Sequence, residues 1–201
     1  MRENYLRVLF IIALSLTPVF LASHLVRAEV DEFNPTNHQP ATLVLGQPNF
    51  TTTVAATSQN GMFSPLGVTV DPTTGKVFVS EQINSRVLRF ASLASLDDGL
   101  AAEAVLGQAD FISGSANRGG GVAANTLSNP VGMSVDSGGR LWVADAGNHR
   151  VLRYDNASTK ANGADADSVL GQPNMNSSVS ATTQSGMNSP APRKTYSTKN
   201  G

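Results

Sequence analysis

No cysteine occurs anywhere in the 201 residues. That removes any disulfide framework and any thiolate metal site. Excess charge of either sign is also missing: Lys plus Arg is 14, Asp plus Glu is 15, and charged residues make up only 14%. A chain so near neutrality lacks the basic surplus that phosphate binding needs, so nucleic acid is not an expected partner. Histidine is scarce, with His24, His38 and His149 the only three; without cysteine beside them a zinc site is not expected. No apolar run reaches the ~20 residues that span a bilayer. The longest, Val8–Ala22, has about 15 and is interrupted by Pro18. The Gly119-Gly120-Gly121 tract lacks the Lys and Ser/Thr of a phosphate loop, and no serine nucleophile elbow is present. Ser, Thr, Asn, Gly and Ala fill the space that charge leaves, a composition common among extracellular β proteins.

The beginning of the chain has a definite layout. Arg2 and Arg7 precede the uncharged Val8–Ala22, and Val26-Arg27-Ala28 comes next, with small or aliphatic residues where a signal peptidase reads. A signal-peptide helix over 1–28 is expected, and with it a secreted or extracytoplasmic protein, free of the membrane after cleavage and held at the cell surface if uncleaved. Residues 29–40, with Pro35 and Pro40, read as a linker.

From Val44 onward the chain repeats. VLGQPNF begins at Val44, VLGQADF at Val105 and VLGQPNM at Val169, so that Gly46, Gly107 and Gly171 stand 61 and 64 positions apart. Arg86 and Arg150, and Gly67 and Gly132, keep the same period to within a residue. Inside each repeat the apolar period is two, the strand period: Val68 and Val70, Val77 and Val79, then Val87, Leu88 and Phe90. In the second copy these are Met133 and Val135, Leu141 and Val143, then Val151, Leu152 and Tyr154. Asp71-Pro72-Thr73-Thr74-Gly75 and Asp136-Ser137-Gly138-Gly139 are turns between the first two strands. Asn84 and Gly147-Asn148 mark the next turn, where a left-handed backbone is tolerated. A fourth strand ends at each VLGQ. Four short antiparallel strands per repeat make one β-propeller blade, so the expected fold is all-β.

The domain reading is a first blade over 41–107 with an orphan strand at Ala41–Leu45, a second blade over 108–171, the start of a third repeat over 172–190, and a tail at 191–201. SVSATTQSGMNSP from Ser178 echoes TVAATSQNGMFSP from Thr53, but after Val179 no Val, Leu, Ile or Phe remains to bury a strand face. Disorder is expected from about Ala191. Long loops join the fourth strand of one repeat to the first of the next, and loops on one rim of a rigid scaffold are where binding sits.

The two copies resemble NHL repeats. The residues that carry the resemblance are Pro65, Gly67, Val70, Asp71, Gly75, Asn84 and Arg86, and again Pro130, Gly132, Val135, Asp136, Gly139, Asn148 and Arg150. The run Ala144–Val151, ADAGNHRV, is the most specific part; the first copy departs from it with Ser80-Glu81 for Ala-Asp and Ser85 for His. It is also similar to bacterial secreted proteins with many VLGQ-spaced copies. The resemblance implies rings of about six blades, of which this chain offers two complete ones. It is therefore read as a piece of a longer propeller or as a subunit that self-associates to complete a ring, three copies making six blades.

Glu81, Asn84 and Arg86, with Asp145, Asn148 and Arg150, form the most tempting polar cluster. They recur once per blade, as structural residues do, so they are assigned to bracing a turn. No residue is assigned as catalytic, cofactor-binding or metal-ligating, and no cofactor is expected. Similar propellers include peptidyl-hydroxyglycine lyases and sugar lactonases that hold metal at the channel. Asp71 and Asp136 end the first strands near such a channel, but one or two carboxylates fall short of the 6–8 oxygens calcium takes. Trp142 is read as blade packing. The expected function is a non-catalytic scaffold that binds protein or glycan through its rim loops, with a lyase- or lactonase-type enzyme, or a truncated product without independent function, as the alternatives.

Overall fold

The computed structural model describes residues 40–191. The expected signal peptide, the expected linker as far as residue 39 and the tail from residue 192 lie outside them. Among the described residues, eight strands form two antiparallel four-stranded sheets, each in sequential order. The first holds β1 (Pro65–Val70), β2 (Lys76–Glu81), β3 (Arg86–Ser92) and β4 (Ala104–Leu106). The second holds β5 (Pro130–Val135), β6 (Leu141–Asp145), β7 (Arg150–Tyr154) and β8 (Ser168–Leu170). These are the two complete blades that the period predicts.

Side-chain chemistry shapes the turns. Asp71 Oδ1 accepts the Thr73 N–H at 2.8 Å and Oδ2 accepts the Thr74 hydroxyl at 2.7 Å, which folds β1 back onto β2. Gly75 closes that turn at φ +71°, where a Cβ is disfavoured. In the β2–β3 and β6–β7 turns the left-handed residues are Ser85 (φ 47°) and His149 (φ 53°), not Asn84 or Gly147-Asn148. Each Asn points its amide back to the carboxylate three residues earlier, and the reversal falls on the residue after it.

The sheets pack face to face. Phe78, Val87 and Leu106 of the first meet Leu141, Val143, Leu152 and Tyr154 of the second, all but fully buried. Near the innermost strands the backbones converge. A Cβ on Gly67 would lie 3.1 Å from the Val131 carbonyl, so only glycine allows this approach without displacement. A second cluster, Val77, Val79, Leu88 and Phe90, lines the other face of the first sheet, covered in part by Leu45 and Met62.

The orphan strand expected at Ala41–Leu45 is not a strand. Its ladder partner would be the third strand of a preceding blade, and no such strand lies among the described residues. Its lateral docking survives nonetheless. Val44 N–H donates to Asp98 Oδ1 at 2.9 Å and Val44 O accepts from Gly99 N–H at 3.0 Å. Val105 in β4 makes the same pair of bonds to the second sheet, with Asn162 (3.1 Å) and Gly163 (2.9 Å). The start of the third repeat copies the first in the same way. Ala181 N–H bonds Met187 O as Ala56 N–H bonds Met62 O, both at 3.0 Å, and the Gln172 amide reaches Val179 O as Gln47 reaches Val54 O, both at 2.8 Å.

Candidate functional site

The six residues singled out by the repeat form two clamps with one design. In the second blade, Asp145 ends β6 and Arg150 begins β7, facing it across the turn. Arg150 Nε donates to Asp145 Oδ2 at 2.8 Å. Asp145 Oδ1 accepts the Ser128 N–H at 2.7 Å, and Oδ2 also accepts the Asn148 amide at 2.8 Å. The other end of the guanidinium leaves the turn altogether. Nη2 donates to Ala123 O (2.9 Å) and Thr126 O (2.8 Å), and Nη1 to Met175 O. The first blade repeats this. Arg86 pairs with Glu81 and donates to Ser58 O (3.0 Å), Gly61 O (3.1 Å) and Phe111 O. Glu81 Oε1 accepts from Phe63 N–H and from Asn84, both at 2.7 Å. The extra methylene of Glu81 does not change the set of partners.

Both ion pairs are fully buried. Burial pushes the Asp145 carboxyl upward, while Arg150, the Ser128 N–H and Asn148 pull the other way. A carboxylate with both oxygens engaged and no exposure has nothing to offer a substrate. What the clamp does is mechanical. Each Arg gathers carbonyls from the connector that enters its blade and from the connector that leaves it, so loops 24 to 28 residues away in sequence are fixed to one turn.

The other residues flagged in the sequence stay apart from these clamps. His149 Nδ1 accepts the Ser189 N–H at 3.0 Å and so seats the third repeat. Asp71 caps its own turn. Two loop acids are also engaged: Asp98 by Val44, and Asp167 by Asp155 N–H (2.7 Å) and Lys160 (2.9 Å). Among the described residues no three His, Cys, Asp or Glu side chains gather as a metal site would require. Two contributors went unassigned in the sequence. Gln108 of the VLGQ run donates to Asn84 O and Ser85 O, both at 3.1 Å. Arg89 ties the sheets together through Ala157 O (2.9 Å) and Lys160 O (2.7 Å). The threefold recurrence of Gln in VLGQ was the available signal for the first.

Trp142 is half-buried on the face of β6 opposite Leu141 and Val143. Its indole N–H donates to Asp136 Oδ2 at 3.1 Å, and Arg153 stacks 5.8 Å from the ring centroid. That hydrogen bond is the main reason the Asp136 carboxyl sits at about 2, below 3.8; burial opposes it, and Arg140 and the Gly138 N–H assist. Because the folded value is the lower one, the contribution to stability is present above the unfolded value and is lost as pH falls through the folded one. Emission from Trp142, the single tryptophan, should therefore titrate with a midpoint near pH 2. Asp136→Asn should abolish that step, and a midpoint near 3.8 or above would contradict the assignment.

The chain carries an NHL repeat: residues 127–154 match the family model of that name. The clamp of the second blade lies inside the matched stretch. Luciferin-regenerating enzyme is similar in structure, with 14% identity and a TM-score of 0.38 over 61% of this chain and 35% of that one. A calcium-binding protein, regucalcin, from Agrobacterium tumefaciens is similar at 19% identity and a TM-score of 0.33, over 58% and 33%. The chain thus spans about a third of the length of either. No curated protein sequence matches it.

Proposed function

We propose that this NHL-repeat propeller chain is a non-catalytic, extracytoplasmic scaffold whose connector rim binds a protein ligand. The observation that carries the reading is where apolar side chains are exposed. The connectors and the β2–β3 turns lie at one end of the sheets, because β1 begins, β2 ends, β3 begins and β4 ends there. Phe50, Val54, Phe63, Leu66, Ile83, Ile112 and Val179 are exposed at that end, whereas at the opposite end the exposed members among the described large apolar residues are Leu93 and the strand residue Val70. Apolar groups held in water on loops whose carbonyls are clamped to the sheets are the features of a preformed binding surface. Aliphatic members of the set favour a protein over a glycan. The expected signal peptide supports the extracytoplasmic placement.

A photo-crosslinking residue placed at Ile112 tests this, with one at Leu93 on the other rim as control. In the extracytoplasmic fraction of the source, the Ile112 probe should capture one protein, in competition with unlabelled chain, and the Leu93 probe should not. Equal capture at both rims, or none at either, overturns the reading. An adduct removed by glycosidase points to a glycan instead.

A further inference from the structure

Among the described residues, one lateral blade face meets another, and that contact is a template for two faces that no other described element covers. Phe78, Val87 and Leu106 bury themselves against the second sheet. Their counterparts one repeat later are Trp142, Val151 and Leu170, on the free face of the second sheet; Leu106 is 1% exposed and Leu170 46%. From the other side, Met133 and Val135 pack into the contact. Their counterparts are Val68 and Val70, on the free face of the first sheet, 69% and 39% exposed.

The polar ties obey the same rule. Arg89 crosses the contact to Ala157 O and Lys160 O. Its counterpart Arg153 reaches only Asp155 of its own chain through a hydrogen bond, at 3.1 Å. The counterparts of the two acceptors, the carbonyls of Leu93 and Leu96, lie on the first sheet's side. Gly67 meets Val131 O in the contact, and Gly132 is placed to meet Leu66 O in the same way. One free face therefore holds the donors and the other the acceptors of an interface whose geometry this chain already displays.

We propose that two copies of this chain associate head to tail, the free face of the second sheet of one copy against the free face of the first sheet of the next. The contact is heterologous, so it repeats until a ring closes. One place is claimed twice: residues 44–64 of the incoming copy and 169–190 of the receiving copy are equivalent segments. The incoming copy keeps its clamp, since Ser58, Gly61 and Phe63 are bonded to Arg86 and Glu81, and Gln59 and Ala102 exchange two bonds. Beyond Met175, the receiving copy's segment bonds the second sheet through Ser189 and His149, so that stretch yields. β8 stays paired with β7, and the incoming residues ahead of Phe50 lift away. This exchange makes association slow.

Sedimentation velocity on the full chain tests the proposal, with Leu170→Asp and Val68→Asp as blocking variants. Both positions are exposed in the single copy, so both variants should keep the wild-type circular dichroism and unfolding midpoint. The wild type should shift from monomer to dimer and larger species with concentration and time. Either variant alone should stay monomeric at concentrations ten times higher. An equimolar mixture should recover dimer and nothing larger, because one intact face of each kind remains. A wild type that stays monomeric, variants that associate like wild type, or a mixture that stays monomeric overturns the proposal.

Discussion

Arg150→Met should lower the unfolding free energy by about 3–5 kcal/mol, the range for removing one partner of a buried ion pair. The pair is fully buried, so the lost attraction is not replaced by water. Asp145 would be left buried with only the Ser128 N–H and Asn148 to hold it, and would be pushed further toward its protonated form. The carbonyls of Ala123, Thr126 and Met175 would lose their donor at the same time. Against a typical total of about 5–15 kcal/mol, this is a large share. Arg150→Lys keeps the charge but cannot fork between the carboxylate and three carbonyls, so it should recover only part of the loss. Urea titration at neutral pH measures both, and hydrogen exchange at the Ser128 amide reports the loosened connector directly. A loss under about 1 kcal/mol for Arg150→Met would match an exposed pair and would contradict the clamp.

Phe78→Ala should cost about 3–5 kcal/mol as well, through a cavity at the contact between the sheets. Phe78 belongs to the first sheet, but its neighbours in the core include Leu141, Val143 and Leu152 of the second. The effect should therefore be shared: amide exchange should accelerate in β6 and β7 as much as in β2 and β3. Trp142→Ala, one repeat later, removes a larger side chain and the bond to Asp136, yet should cost less than Phe78→Ala, because the ring is only partly buried and no second sheet covers it among the described residues. Exchange confined to β2 and β3 in Phe78→Ala would show two independent sheets.

Much of this architecture is legible in the letters. The VLGQ spacing sets the repeat, the alternation of Val77 and Val79 or Leu141 and Val143 sets the strands, and Asp71 with Gly75 sets the turn. The recurrence of Arg86 and Arg150 argues for a structural role, and their partners explain it. What the letters do not contain is the far end of each guanidinium. Its acceptors are main-chain carbonyls of Ser58, Gly61, Ala123 and Thr126, and any residue type presents a carbonyl. Ala41–Leu45 fails as a strand for a related reason: a strand needs a ladder partner, and VLGQ names the strand without supplying one. Alternation within a strand likewise separates two faces without saying which of them meets the neighbouring sheet. Phe78 and Trp142 occupy the same place in the repeat, and only packing makes one core and the other partly exposed.

Leu106 and Leu170 give the most direct test of the central claim, that equivalent blade faces differ only in whether a partner covers them. They are the same residue at the same place in successive repeats, at 1% and 46% exposure. Equilibrium unfolding of the dilute, single-copy protein should show Leu106→Ala costing about 2–5 kcal/mol and Leu170→Ala less than about 1 kcal/mol. Equal losses at the two positions would contradict the account, because they would mean that both faces are covered, or that neither is.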